Sequence, residues 1–309
     1  KWDVRDLFGV GPDADLTPMW IADMDFAVVP EIQTALKERC DHPTFGYNTP
    51  TPGCIPALCS WYERRHNWKF TPDQVLNGIG VVTMIRFTLE ALTAPGDQVA
   101  VFSPVYDPFF AQVRNSGRTL VDLPMKEQNG HYSVDLAAFE QALKDGVKAV
   151  IFCNPHNPIG KVWTKDEVET IGGLCAKYGA YMLSDEVHGD MVMDDNHYNP
   201  MGLVDAIQDK LVVYTAISKT FNLAGLHQSA IIIPNAEVRA KVDAMLKGAW
   251  IMGPNLMAFT AMEAAYTYGD KWVDEVVAYI SDNVRYVQQQ VRNFMPKVKL
   301  SHHEGTFLM

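Results

Sequence analysis

Short apolar runs alternate with longer stretches of mixed spacing through most of the chain. Residues 98–102, 148–153, 181–183, 211–217 and 228–233 are dominated by consecutive apolar positions. A strand with water on one face alternates apolar and polar residues; a strand covered on both faces does not. These runs therefore predict strands of a sheet covered by helices on both sides. Before, between and after them, residues 84–92, 134–144, Lys165–Tyr178 and 236–246 carry helical spacing. Thr164 followed by Glu167 forms a capping box at the start of the third. Thr71-Pro72-Asp73-Gln74 reads as a similar helix start with proline in the first position. Residues 272–294 predict one long helix, suited to bridging a large domain to a smaller one. The alternation implies βα units and a mostly parallel sheet, an α/β fold.

Three of the apolar runs end in polar clusters. Asn154-Pro155-His156-Asn157-Pro158-Ile159-Gly160 follows the first, Ser184-Asp185-Glu186-Val187-His188 the second, and Ser218-Lys219-Thr220-Phe221-Asn222-Leu223-Ala224-Gly225 the third. Ligands of open α/β sheets bind at the C-terminal strand ends. A carboxylate, an amide, an imidazole and a lysine can thus converge on one aromatic cofactor. Lys219 can form a Schiff base with an aldehyde cofactor where burial lowers its pKa, and can then move a proton. Asp185 beside a pyridine nitrogen would keep it protonated, although an aspartate there also suits a helix N-cap. Asn157 sits between stiffening prolines and Gly160, and can donate to a phenolate oxygen; read alone, the segment is also a turn. His188 can donate beside it. As a metal ligand with Asp190, Asp194 or His197, its spacing fits no common site.

Tyr106, in Ser103-Pro104-Val105-Tyr106-Asp107-Pro108, can stack on a ring or pack as a half-buried core residue. Gly78-Ile79-Gly80-Val81-Val82-Thr83 precedes a helical stretch, whose first N–H groups suit a phosphate. It misses G-x-G-x-x-G by Thr83, and no strong strand precedes it, so nicotinamide binding is the weaker alternative. Tyr47, after a glycine turn, reads by itself as packing. His302-His303-Glu304 reads as surface rather than as a metal motif.

Charge narrows the partners. Lys+Arg total 26 against Asp+Glu 37, a net charge of −11, which argues against nucleic acid or an anionic membrane as the main partner. No apolar run reaches the length of a bilayer span. The 5 cysteines are odd in number with no C-x-x-C pair, which favours reduced thiols in a cytoplasmic enzyme. Cys153, inside an apolar run, is expected in the core. Lys1 opens the chain and Gly305-Thr306-Phe307-Leu308 reads as the start of a strand. The expectation is a piece of a longer protein.

Together these motifs resemble the fold-type I pyridoxal-phosphate (PLP) enzymes of aminotransferase class I/II. More narrowly, the chain resembles the cystathionine β-lyase branch of MalY/PatB type, which includes cystalysin. The segments that carry this are Pro18-Met19-Trp20-Ile21-Ala22-Asp23-Met24-Asp25-Phe26, Phe45-Gly46-Tyr47, Gly80-Val81-Val82, Pro104–Phe110, 154–163, 184–188 and 218–225. The resemblance implies a PLP domain over 29–269. Residues 1–28 and 270–309 would belong to a smaller, incomplete α/β domain. It implies that Lys219 carries the cofactor, Asp185 pairs with the pyridine nitrogen, and Asn157 and His188 contact the phenolate. Tyr106 would stack, and Val81, Val82 and Ser218 would hold the phosphate. Tyr47 would reach the neighbouring subunit's phosphate in a homodimer. The implied reaction is α,β-elimination of L-cystathionine or a related L-cysteine derivative to thiol, pyruvate and ammonia. An aminotransferase with the same site is the first alternative. A regulatory, partner-binding protein that keeps the fold is the second. Three positions depart from related patterns. His227 stands for a phosphate-gripping arginine, Ala216 for a serine, and Asp107 for a second tyrosine. The family's carboxylate-binding arginine has no counterpart within 1–309, so a protein ending at Met309 would catalyse weakly or not at all.

Overall fold

The computed structural model describes residues 1–2, 9 and 17–309. Much of the 1–28 segment expected in the smaller domain therefore lies outside the described residues. In chain order the strands are β1 (Val75–Gly78), β2 (Gln98–Ser103), β3 (Thr119–Pro124), β4 (Lys126–Gln128), β5 (His131–Ser133), β6 (Ala149–Cys153), β7 (Tyr181–Asp185), β8 (Leu211–Thr215) and β9 (Ser229–Ile232). Seven form one sheet in the order β1-β9-β8-β7-β6-β2-β3, and β4 and β5 make a separate hairpin. The strands from β3 to β8 in that sheet are parallel. β9 runs antiparallel to both β8 and β1.

The helices are α1 (Pro30–Asp41), α2 (Cys54–His66), α3 (Val81–Leu92), α4 (Pro108–Asn115), α5 (Leu136–Lys144), α6 (Lys165–Tyr178), α7 (Ile217–Thr220), α8 (Ala236–Gly248), α9 (Leu256–Tyr268) and α10 (Asp270–Phe294). The sheet divides the core in two. Val150, Phe152, Met182 and Val213 point to one side with Trp61, Trp163 and Phe259. Ile151, Leu183, Val212 and Tyr214 point to the other with Met84, Leu89 and Val242. Successive strand residues thus feed opposite layers, and burying each such side chain contributes about 1.5–3 kcal/mol. Every residue of β6, β8 and β9 is buried, which is why apolar residues dominate them, with Thr215 and Ser229 the buried polar exceptions.

Several boundaries depart from the sequence reading. The cap at Thr71 forms with Gln74, but only a 3-10 turn, Pro72–Gln74, follows it. Val75 then enters β1, so a strand does precede Gly78; its four residues, Val-Leu-Asn-Gly, gave too little pattern to read. The helix expected at 84–92 begins at Val81, and that expected at 134–144 begins at Leu136, with Asp135 capping Ala138 N–H at 3.2 Å. The 211–217 run is a strand only to Thr215; Ala216 hands over to α7. At 305–308 there is no strand, only an isolated bridge from Gly305 to Val192. Unforeseen is α9, which buries Ala258, Phe259, Ala261, Met262, Ala265 and Tyr266. A helix apolar all round shows no amphipathic period.

The long α10 buries Val276 and Ile280 beside Met24 and Phe26. Trp272 on the same helix donates to Ala27 O at 3.1 Å. The segment before α1 is thereby laid along α10 and across the C-terminal ends of the strands. None of the described helices is long and apolar enough to cross a membrane.

Candidate active site

Parallel register brings the strand ends level: Cys153 of β6 lies beside Asp185 of β7, and Asp185 beside Tyr214 of β8. Above them opens a pocket of about 480 Å³, a size suited to a small cofactor plus substrate. Lys219, Asp185, Asn157, His188, Tyr106, Val81, Val82 and Ser218 all line it. Eight of the residues singled out from the sequence are thus gathered in one cavity.

Asp185 is the last residue of β7 and no helix follows it, so it is no helix N-cap. One carboxylate oxygen accepts the Val187 N–H at 3.2 Å. Burial lifts its pKa to about 7, against the Val187 bond and the Lys219 charge, which lower it. Lys219 sits in α7 and donates to Ala22 O at 2.9 Å. Burial lowers its pKa, while Asp23 and Asp185 pull the other way. His188 is driven down to about 3 by burial and then by Lys219, so its imidazole is neutral at physiological pH. Burial, and secondarily Asp185, raise the phenol of Tyr106. The Tyr106 ring stands edge-on to Phe109 with centroids 5.6 Å apart, and the residue is 40% exposed.

Asn157 Oδ1 and His188 Nδ1 are buried without a hydrogen-bond partner. Buried polar atoms are rarely left so; a ligand edge would satisfy both, either donating to Asn157 Oδ1 or, with that amide turned over, accepting from its NH2. Asp185, disfavoured as an isolated buried anion, would be matched by a cationic ring nitrogen. At another wall, α3 begins at Val81 without a side-chain cap. Gly80 holds φ +119°, where a side chain is strained, and its N–H is bonded to Ser229 Oγ at 3.1 Å. The first-turn N–H groups of Val81 and Val82 form a ready anion site. These donors fit a phosphorylated pyridine aldehyde.

The neighbouring His156 points away from the pocket. Its Nε2 meets Pro104 O at 3.0 Å, tying the Asn157 loop to the Tyr106 loop, and burial takes its pKa down to about 4. Cys153 is in the core as expected, and burial raises its thiol. Tyr47 is fully exposed and outside the pocket. His227 does line the pocket, in the left-handed region at φ 51°. Ala216 is a buried, extended residue offering no cap to α7, and Asp107 is exposed outside the pocket.

Sequence reading missed the other wall. Met19, Trp20, Ile21, Ala22 and Asp23 close the pocket from the N-terminal side. Asn222, left-handed at φ 58°, fastens them by accepting from Met24 N at 3.0 Å and donating to Met24 O and Phe26 O at 2.9 and 3.1 Å. The asparagine directly after Lys219-Thr220-Phe221 was the available signal. His302-His303-Glu304 is only partly surface. His303 is buried against Thr306 O at 3.1 Å. His302 and Glu304 come within 4.8 Å of His131, close enough to share a metal ion. Among the described residues no such group includes His188.

Comparison with known proteins agrees with this geometry. The family model "aminotransferase class I and II" matches residues 15–309. Cystathionine beta-lyase PatB of Bacillus subtilis is 42% identical over 312 residues, covering 100% of this chain and 80% of the relative. Protein MalY of Escherichia coli is 32% identical over 312 residues, covering 100% of this chain and 79% of the relative. The crystal structure of cystalysin from Treponema denticola, which contains a pyridoxal 5'-phosphate cofactor, superposes with a TM-score of 0.91 at 33% identity. The match covers 94% of this chain and 75% of cystalysin.

Proposed function

The chain belongs to the aminotransferase class I and II family, and on that premise we propose that it is a PLP-dependent carbon–sulfur β-lyase. The substrate would be L-cystathionine or a related L-cysteine derivative. Lys219, Asp185, Asn157 and His188 converge on one pocket with the uncapped start of α3, which supports PLP dependence. One observation carries the carbon–sulfur specificity, the 42% identity to a cystathionine beta-lyase over the whole chain.

PLP, when bound, would draw electron density away from the substrate's Cα and so weaken the Cα–H bond. Lys219 supplies the amine that attaches the cofactor. Its lowered pKa leaves it more readily neutral, so it can accept the Cα proton. Asp185 holds a proton on the ring nitrogen, a role its burial at the end of β7 suits. Asn157 and the neutral His188 bring hydrogen-bond donors to the ring oxygen without adding charge. Val81 and Val82 N–H groups, with Ser218, would hold the phosphate, and Tyr106 would offer its ring as a stacking face. The Met19–Asp23 wall orients the base, through the bond from Lys219 Nζ to Ala22 O. With the Cβ–S bond broken, its electron pair leaves with sulfur as a thiol, and water converts the remainder to pyruvate and ammonia.

Tyr47 is too exposed to serve its own pocket, which supports a homodimer in which it reaches the partner's phosphate. We further propose that 29–269 form the cofactor domain, with 1–28 and 270–309 belonging to a smaller one. The five free cysteines favour a cytoplasmic setting.

Product analysis tests the reading. PLP-loaded protein given L-cystathionine should release equal amounts of pyruvate, ammonia and thiol, and Lys219→Ala should release none. Transfer of the amino group to an added keto acid, without pyruvate, would make it an aminotransferase. Biological activity surviving Lys219→Ala intact would favour a regulatory protein instead.

A further inference from the structure

α7, which bears Lys219, is only four residues long. A helix that short has no stability of its own, so outside groups must hold it. At its start, Ile217 N–H donates to the buried side chain of Gln228 at 3.0 Å. At its end, Thr220 Oγ1 donates to Asp190 Oδ2 at 2.9 Å. Asp190 is a carboxylate whose side chain is 8% exposed. Its other oxygen accepts from Trp61 Nε1 at 3.0 Å and meets His66 Nε2 at 2.8 Å, with Arg65 Nε at 3.9 Å. Burial alone would raise its pKa, but His66, Arg65 and Thr220 keep it below the ordinary carboxylate value. The anion is therefore fixed from three directions by α2 and α7.

The loop that carries Asp190 also carries the pocket's acid and imidazole. Asp185 and His188 face the cavity, and the loop folds back through Gly189 N to Glu186 O and Met191 N to His188 O, at 2.9 and 2.8 Å. Asp190 then meets the lysine turn from behind. Loop and turn thus share one hydrogen bond between adjoining strand ends.

We propose that Asp190 is a positioning residue: through Thr220 Oγ1 it sets the place of Lys219 relative to Asp185 and His188. The inference rests on the β-lyase reading above and deepens it. A proton acceptor displaced by a fraction of an ångström loses rate while substrate binding is little changed.

The test compares PLP-loaded wild type with Thr220→Val, Thr220→Ser and Asp190→Asn. Three quantities are read: kcat, KM, and the pH at which the visible band of Lys219-bound cofactor changes. Thr220→Val keeps the shape and removes only the hydroxyl. It should lower kcat about tenfold with KM within about twofold, and move the band's pH midpoint. Thr220→Ser should restore both, and Asp190→Asn should follow Thr220→Val. If Asp190→Asn does not fold, Thr220→Val decides. A Thr220→Val protein that melts earlier yet keeps kcat and the band's midpoint would overturn the inference and leave Asp190 a purely structural anion. So would a Thr220→Ser protein no better than Thr220→Val. A wild-type protein without any Lys219-dependent band would instead sink the functional reading itself.

Discussion

The strand-end pocket and the segment bearing Tyr47 contrast sharply, although sequence motifs single out both. At the strand ends Asp185, Asn157 and His188 are almost wholly buried, and Asp185 is held by the Val187 N–H. Tyr47 lies in an irregular stretch before α2 and has no cover at all. An aromatic ring in water makes no contact worth maintaining, whereas a buried carboxylate without a partner carries a cost. The first region is organised to receive a small molecule; the second is left bare, as the proposed homodimer requires. Phe45 at 63% and Trp250 at 81% exposure lie on the surface too. Asn48 of the Tyr47 segment reaches Pro254 O at 3.5 Å, close to Trp250 in sequence.

The largest effect belongs to the pocket. Lys219→Ala should reduce β-elimination by at least about 10³-fold, because base and attachment point vanish together; a pyruvate assay reads it. Asp185→Asn should cost about 10²-fold or more in kcat, with the fold unchanged by circular dichroism, since an amide cannot hold the ring nitrogen's proton. Tyr47→Phe should weaken PLP retention about tenfold and leave the isolated fold untouched, as expected for one lost hydrogen bond to a charged group. Mixing Tyr47→Phe with Lys219→Ala subunits sharpens the contrast. A heterodimer holds one site with both residues intact, so at PLP concentrations too low to fill the Tyr47→Phe parent, activity per intact Lys219 should exceed that of either parent; no gain would mean Tyr47 does not act across subunits.

The smallest effect is on stability. Asp185 has a raised folded pKa, so between about pH 4 and about pH 7 the folded, cofactor-free protein holds a proton that the unfolded chain has released. Its stabilising contribution is complete below the unfolded value and is lost as pH rises through about 7. Asp185→Asn removes that loss. At pH 8 the cofactor-free variant should therefore melt about 2–4 °C above the parent. Glu186, also raised to about 7 by burial, leaves part of the pH dependence in place. Equal melting temperatures at pH 8 would mean that Asp185 is already matched without cofactor.

Much of this was legible locally. Consecutive apolar residues announced β6, β8 and β9, since a strand buried on both faces leaves no choice of residue type. Thr164 and Glu167 announced α6, since a capping box is satisfied within four residues. Lys219, Asp185 and Asn157 stood out because each lies at or just past the C-terminal end of an apolar run. What stayed hidden was long-range. β1 is four residues whose pairing with β9 lies far along the chain. α9 is held by packing against α1 and α2 rather than by a period of its own. The wall from Met19 to Asp23 depends on Asn222, and the grip on the lysine turn on Asp190, each from a distant part of the sequence.

Residue order by itself determined which chemical groups this protein owns, and that they end adjacent buried strands. Those are consequences of local burial and strand length. Only the tertiary structure decided that the strand ends are level, that the N-terminal segment closes the pocket, and that Tyr47 is left outside it. Register and loop closure are set by pairing between remote segments, and a linear pattern does not encode which remote partner a hydrogen bond will find.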